Sequence, residues 1–216
     1  MKKHFFTLTL ATLTLIACKK EEQQQVEIPL EEAAVEETVV EEVMEIPDSA
    51  TIAKAWENYA TIGEAHNRMA KDNGIWNEDL TSWPHAGAEP MKMKMTAEIK
   101  TIYDGRYQEA IHKGEFMGMP FEGKSTLAYD NATNKYISTW IDNMSTGILV
   151  LRGNYDEATK TYTMEGENVD PVTKKMKKMR EVITMVDENT QKMEMYDTGY
   201  DGKEFKNMEI IMTRKK

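Results

Sequence analysis

Apolar and polar residues alternate along short stretches from about residue 74 onward in this 216-residue chain. From residue 91 to residue 99 every odd position is Met, Ala or Ile, and the even positions are mostly Lys or Glu. Near the C-terminus, Met208, Ile210, Met212 and Arg214 repeat this spacing. Successive side chains of a strand point to opposite faces, so a period of two predicts strands with one apolar and one charged face. Such strands favour a sheet that curls around its own core.

Turn signals divide this region into about ten short strands. Asp104-Gly105 and Asp201-Gly202 are typical of two-residue hairpin turns, because glycine tolerates the positive φ that these turns require. Between them an Asp-x-x-Thr pattern recurs, beginning at Asp130, Asp156, Asp170 and Asp187. Each Asp can accept a hydrogen bond from the backbone two residues on, which starts a tight turn. The order predicts a mainly β fold, an antiparallel up-and-down meander closed as a barrel, with a two-sheet sandwich as the alternative.

A helical period precedes the strands. Pro47-Asp48-Ser49 is typical of a helix start, because an Asp or Ser side chain can accept the free amide hydrogens of the first turn. Apolar residues then recur at helical spacing, at Ile52, Ala55, Trp56, Tyr59, Met69 and Ala70. This spacing predicts an amphipathic helix, broken near Gly63, that packs on the sheet or across a barrel mouth.

The first 17 residues have the pattern of a lipoprotein signal peptide. Two lysines precede an apolar run that is shorter than the roughly 20 residues needed to span a bilayer. The run ends in Leu-Ile-Ala-Cys, and Cys18 is the sole cysteine, whose thiol can carry a thioether-linked diacylglycerol. The pattern predicts a lipid-anchored protein of the cell envelope, at the outer membrane on its periplasmic face or at the cell surface. An ordinary secretory leader with an incidental cysteine is the alternative.

Residues 18–47 form a predicted disordered tether between the lipid and the domain at 48–216. Eleven of the 37 acidic residues lie between Glu21 and Asp48, while four of the 27 basic residues precede Glu21. From Ser49 onward 26 acidic and 23 basic residues remain, so the domain carries a net charge of −3 against −10 for the whole chain. Repulsion between the closely spaced acids favours an extended segment. A nearly neutral domain also argues against nucleic-acid binding, which favours a basic patch.

A family resemblance is carried by several short motifs. The stretch from Gly118 to Gly147 contains PFEG, YDN, KY, TW, D and TG in that order. Elsewhere the chain has GEAH at 63–66, DGRY at 104–107, and GKEFKNMEI followed by TRK near its end. This set resembles the bacterial family catalogued as domain of unknown function 1579. The resemblance implies a calycin-like β-barrel and transfers no catalytic residues.

One pair of residues resembles a structural feature of lipocalins and other calycins. In those proteins a Gly-x-Trp motif on the first strand packs its indole under an arginine from the end of the chain. Here Gly74-Ile75-Trp76 and Arg214 have the corresponding positions. We therefore expect Trp76 and Arg214 to be in contact, with the guanidinium stabilising the indole face by about 1 kcal/mol.

Catalytic and metal-binding motifs are lacking in the sequence. It contains no phosphate loop, zinc-ligand spacing, Gly-x-Ser-x-Gly elbow or Ser-His-Asp arrangement, so no cofactor or metal is predicted. The chain has 17 methionines, many as Met-x-Met. Thioethers are soft ligands suited to Cu(I), but a flexible apolar core has the same pattern and is the favoured interpretation.

Barrel architecture leads to a small-ligand hypothesis, since such a fold can enclose one apolar or amphipathic molecule. The candidate lining residues are His66, Met93, Met95, Arg106, Tyr129 and Trp140. For His66 the ordinary alternative is a buried histidine that bonds to backbone, and for Arg106 a surface hairpin position. Two other hypotheses remain open: a filled barrel that serves as a structural envelope protein with unknown protein partners, and a haem protein or enzyme that uses His66 or His112 as axial ligand or base.

Overall fold

A computed structural model of the chain describes residues 44–216. The leader at 1–17, the lipidation residue Cys18 and nearly all of the predicted tether at 18–47 lie outside the described residues. The prediction of lipid anchoring therefore stays a prediction. Within the described part, no helix combines the length and apolar character that a membrane crossing by a helix requires.

Ten antiparallel strands form one closed barrel. Each strand pairs with its sequence neighbours, and the first strand pairs with the last, so the predicted up-and-down meander is confirmed and the sandwich alternative is excluded. The strands are β1 (Gly74–Ser82), β2 (Met91–Ile102), β3 (Tyr107–Phe116), β4 (Met119–Asp130), β5 (Lys135–Asp142), β6 (Leu149–Asp156), β7 (Thr161–Val169), β8 (Met176–Asp187), β9 (Thr190–Thr198) and β10 (Glu204–Arg214).

Aspartate side chains begin the turns, as the Asp-x-x-Thr repeats predict. The Oδ1 atom of Asp130 accepts from the Ala132 amide at 2.9 Å, and that of Asp156 accepts from Ala158 at 2.8 Å. Asp170 and Asp187 likewise each accept a hydrogen bond from the amide two residues further on. Hydrogen bonds from the Thr159 and Ala158 amides lower the pKa of Asp156, because they favour its charged form.

Two helices precede the barrel, α1 (Ser49–Ala60) and α2 (Glu64–Ala70), with a break at Gly63. Asp48 caps α1 by accepting the Ala50 and Thr51 amides, as predicted from the sequence. The expected packing holds for α2, which buries His66 and Met69.

For α1 the packing prediction is wrong, since none of its residues is buried and Trp56 is 66% exposed. A polar contact holds its C-terminal end instead. The Asn131 side chain, in the β4–β5 turn, donates to the carbonyls of Asn58, Tyr59 and Thr61 at 2.7–3.2 Å. The apolar face of α1 therefore stays unburied.

The two ends of the barrel differ. Because the strands alternate in direction, α2 and the turns β2–β3, β4–β5, β6–β7 and β8–β9 lie at one end, which we term the helix end. The other end, termed the loop end, carries the connecting segments 83–90, 117–118, 143–148, 170–175 and 199–203. At the helix end Arg68 of α2 donates to the Tyr136 hydroxyl at 2.8 Å and lies over the Tyr155 ring. Gln108 also donates to the Met69 carbonyl at 2.7 Å, so α2 is fastened to the barrel by polar contacts.

The barrel core consists of two apolar clusters. One is built around Trp76 and the inward side chains of β2 and β10, and the other around Tyr136 and Tyr162 with Met69 of α2. Met193 and Met208 pack against both clusters and join them. The methionine-rich strand faces thus fill the core, and the predicted alternation of β2 is visible in the burial of its odd positions.

Arg214 lies over the Trp76 ring at 4.3 Å, where β1 and β10 pair. Its guanidinium also donates to the carbonyls of Asn73 at 2.6 Å and Lys71 at 2.9 Å. Gly74 has φ +143°, and a Cβ there would come within 2.8 Å of the Arg214 Nη1 atom, so glycine leaves room for the guanidinium. The Gly-x-Trp motif therefore closes the barrel seam and fixes the chain that leads in from α2.

Arg214→Met should lower the free energy of unfolding by about 2–4 kcal/mol, because the apolar cover of Trp76 is kept while backbone carbonyls lose a charged donor. Urea unfolding followed by circular dichroism measures this. Arg152→Met is the matched control, since Arg152 on β6 is exposed, and we expect a change within about 0.5 kcal/mol. An equal decrease in the free energy of unfolding for the two variants would show that the contacts of Arg214 contribute nothing specific to stability.

Candidate functional site

Three polar side chains lie inside the apolar barrel. Glu78 on β1 and His112 on β3 have side chains that are 1% and 14% exposed, and Glu181 on β8 is buried. Strand alternation accounts for their placement, since Glu78 shares its face with buried Trp76 and Leu80. Glu78, His112 and Glu181 are termed the interior cluster below.

Glu78 and His112 are hydrogen-bonded, with 2.9 Å between Glu78 Oε1 and His112 Nδ1. Strand β2 runs between them, and its residue opposite His112 is Ala97. The small Ala97 side chain leaves space for the two longer ones to meet across the intervening strand. An ionised Glu78 can only accept, so Nδ1 then carries the proton and the imidazole Nε2 is the free ring nitrogen.

Glu181 is a buried acid without a local partner. Its Oε2 atom has no hydrogen-bond partner among residues 44–216. Burial raises the pKa of the Glu181 carboxyl to about 7, and the charge of His112 opposes this rise. The neutral acid therefore predominates at mildly acidic pH, and the carboxylate forms above neutrality.

Trp140 forms an aromatic wall beside the cluster. Its ring centroid lies 5.1 Å from that of His112. The same ring is stacked on Phe121, with 6.3 Å between the two centroids. Asp142 accepts from the indole Nε1 at 2.8 Å and fixes the ring. The indole lies directly against Gly123 of β4, where a Cβ would be 2.4 Å from the ring. Glycine at this strand position therefore allows Trp140 to lie flat and reach His112.

The structure does not bring the six sequence-predicted lining residues into one site. Trp140 and Met93 lie in the half of the barrel toward the loop end, and Met95 is buried in the same apolar cluster that Met93 joins. His66 and Tyr129 are neighbours at the helix end, with ring centroids 5.7 Å apart. Arg106 lies on the β2–β3 turn with 43% of its side chain exposed.

His66 has a structural contact at the start of α2. Its Nδ1 atom accepts from the Gly63 amide at 3.1 Å, which satisfies a free amide of the first helical turn. Burial lowers the pKa of His66, and its contact with the Tyr129 backbone opposes this effect. The neutral ring is therefore favoured, as a hydrogen-bond acceptor from the backbone requires.

Two hollows are formed on the outside of the described domain. One, of about 530 Å³, lies over β1, β2 and β3 beside outward residues such as Asp79 and Lys94. The other, of about 500 Å³, lies along α1. Glu78 and Met95 border the first hollow, whereas His112, Trp140 and Glu181 line neither. We therefore expect a ligand that reaches His112 and Glu181 to displace side chains.

The side chains next to the cluster on its loop side are adaptable. Met93, Met179 and Met208 are partly buried there, together with Phe121. Methionine side chains change conformation at low cost, so they can move aside for a small molecule. The 14% exposure of the His112 side chain shows that solvent reaches the cluster.

Sequence reasoning missed Glu78 and Glu181. A signal for both was available, because each occupies an inward position in an alternating stretch of large apolar residues. The sequence suggests His112 only as a possible axial ligand or base and does not place it beside a buried acid. Within residues 44–216, no three His, Cys, Asp or Glu side chains converge closely enough to hold a metal ion.

The fold and this site define a ten-stranded up-and-down β-barrel with an acid–imidazole cluster in its core. The chain belongs to the family described as protein of unknown function (DUF1579), whose model matches residues 61–214. No curated protein matches the chain. A solved structure described as a redesigned beta barrel is similar with a TM-score of 0.37 and 11% identity, over 68% of this chain and 95% of its own.

Glu181→Gln should change how stability depends on pH. The folded pKa of about 7 lies above the unfolded value of roughly 4.3. The stability that Glu181 contributes is thus fully present at low pH and is lost as pH rises through 7. Between about pH 5 and pH 8 the wild type should lose roughly 2–3 kcal/mol more than the variant.

Urea unfolding at the two pH values measures this difference. Asp72, whose pKa burial raises to about 6, is present in both proteins and cancels in the comparison. The matched control is Glu165→Gln on the exposed face of β7, which should follow the wild type. If the wild type and Glu181→Gln lost the same free energy of unfolding between the two pH values, Glu181 could not be a buried acid with a raised pKa.

Proposed function

We propose that this protein is a lipid-anchored binder of a small amphipathic molecule in the cell envelope. The observation that carries the binding proposal is a polar cluster inside an apolar barrel, bordered by aromatic and methionine side chains that are only partly buried. Ligand sites typically combine an apolar lining with a few polar groups that fix orientation. Here Trp140 and Phe121 supply apolar surface next to the Glu78–His112 pair.

Entry from the loop end is favoured by the contrast between the two ends. At the helix end, Arg68, Gln108 and Tyr136 tie α2 to the strands through hydrogen bonds of 2.7–2.8 Å. At the loop end the barrel is crossed by connecting segments, and the interior side chains Met93 and Met208 are partly buried. The proposed ligand places its polar group at the interior cluster and its apolar part toward the loop end.

Acid–base catalysis is a second candidate, favoured by the pairing of Glu78 with His112. That bond can orient the imidazole so that Nε2 is free to accept a proton, while a buried carboxylic acid lies nearby in Glu181. Groups whose pKa values are shifted toward neutrality are common at catalytic sites. Under this candidate the bound molecule would be chemically converted instead of recovered unchanged.

Native mass spectrometry tests the binding proposal. An ordinary cleaved secretory leader would replace residues 1–18, so that the chain is exported without lipid and is purified from its own host. We expect an added mass that disappears on denaturation, because a binder retains its ligand only while folded. Recovery of the same molecule after incubation with fresh protein would support binding, and its conversion would support catalysis. If the protein carried no added mass and bound none of the added apolar probes, both the binding and the catalytic candidates would be contradicted. That result would favour a filled barrel with protein partners.

Metabolic labelling tests the anchor. Wild-type chain grown with an alkyne fatty acid should become labelled and partition into the detergent phase, since each acyl chain adds apolar surface. Cys18→Ser should remove both properties, because the chain has no other cysteine that could carry a thioether-linked lipid. Label or detergent partitioning that persists in Cys18→Ser would contradict anchoring at this residue.

A further inference from the structure

We propose that the ligand is an amphipathic amine whose ammonium group binds between Glu181 and the Glu78–His112 pair. This inference rests on the binding function proposed above and adds the chemical class of the ligand. The ammonium would lie in the interior cluster, and the apolar part would extend along Trp140 and Phe121 toward the loop end.

The first argument is the charge of the interior cluster. It holds two carboxyl groups and one imidazole, and among residues 44–216 neither Glu78 nor Glu181 forms an ion pair with a lysine or arginine. Buried carboxylates are normally paired, because an isolated buried charge is costly. A cation delivered by the ligand would supply the missing partner.

Two cationic side chains near the ends of the barrel, Lys177 and Arg214, already interact with other groups. Lys177, toward the loop end, lies 3.0 Å from Asp197 and 3.7 Å from Asp170. At the helix end, Arg214 donates to backbone carbonyls over Trp76. These two cations of the described residues are thus held by other groups and do not pair with the carboxyl groups of the cluster.

The second argument is the unpartnered Oε2 atom of Glu181. In a buried acid such an oxygen costs free energy, and native cores satisfy most of these atoms. An ammonium group has up to three N–H donors and no acceptor. It therefore has donors for more than one acceptor of the cluster, whereas a neutral alcohol has one donor to give.

The third argument is the aromatic wall. The Trp140 indole contacts His112 edge-on and is stacked on Phe121, so aromatic surface lies beside the imidazole that is hydrogen-bonded to Glu78. Aromatic faces attract cations, and indole does so most strongly. Aromatic rings next to carboxylates form a setting that suits an ammonium group and opposes an anion.

The ligand's apolar part would meet methionine side chains on its way to the loop end. Met93, Met179 and Met208 are partly buried there and have three rotatable bonds each. Such a lining accepts tails of different shape. The selectivity that we propose therefore lies in the polar group and much less in the tail.

Three ligands of equal chain length test the inference: decylamine, decanol and decanoic acid, each below its micelle concentration. Titration calorimetry on the unlipidated chain (residue 19 onward) measures binding. Decylamine should bind at least about tenfold more tightly than decanol, because it brings a charge-assisted bond to the buried acids. Decanoic acid should bind most weakly, since its carboxylate faces two acids.

Two variants locate the effect. Glu181→Gln keeps the side-chain volume and should reduce decylamine affinity about tenfold, a larger change than it causes in decanol affinity. Glu165→Gln, on the exposed face of β7, should change neither. A proton balance gives an independent readout, measured in buffers of different ionisation enthalpy. At about pH 6.5 decylamine binding should release a proton from wild type, because the ammonium favours ionised Glu181, and Glu181→Gln should release none.

Equal affinities for the amine and the alcohol would overturn the amine assignment and leave the proposed binding function standing. Tightest binding by decanoic acid would also overturn it, and would assign an anionic ligand. Binding of none of the three, together with a clean apo mass, would overturn the inference and the proposed binding function. Selective amine binding that Glu181→Gln leaves intact would overturn the placement at the interior cluster.

Discussion

Pairing between β1 and β10 is the constraint on which the rest of the structure depends. It closes the barrel, and a closed barrel gives every strand one face that points inward. The seam is fixed where Trp76 faces Arg214 across the two strands, with the guanidinium over the indole. Once Trp76 points inward, the period of two places Glu78 inward as well. The position of the acid is thus a consequence of the same contact that closes the fold.

Most of the fold could be predicted from local patterns. Turns begin where Asp130 and Asp156 accept backbone amides, and these contacts need no tertiary information. The packing of α1 could not be predicted, because its apolar spacing is compatible with burial. What decides its placement is a polar contact from Asn131, which is more than 70 residues away from Asn58 in sequence.

The site was harder to predict because it depends on stagger between strands. Glu78 meets His112 across β2, where the residue opposite His112 is the small Ala97. Trp140 reaches His112 because β4 has Gly123 where the indole lies. Such cross-strand relations are set by register, which the sequence does not display. The alternation of each single strand was visible, and it placed Met93, Met95 and Trp140 in strands without showing which of them meet.

Two acids with raised pKa values show how a structural carboxyl differs from a candidate binding group. Asp72 at the helix end accepts from Gln191 at 2.8 Å, lies near Arg214, and has a pKa of about 6. Glu181 is more deeply buried, has an unpartnered oxygen and has a pKa of about 7. Burial destabilises the charged form of both, but Asp72 has local donors that offset part of the cost. Among the described residues Glu181 Oε2 has no donor, and a leucine side chain would fill the same space at lower cost. An acid retained at such a position is more readily explained by a ligand that uses it than by the stability of the barrel.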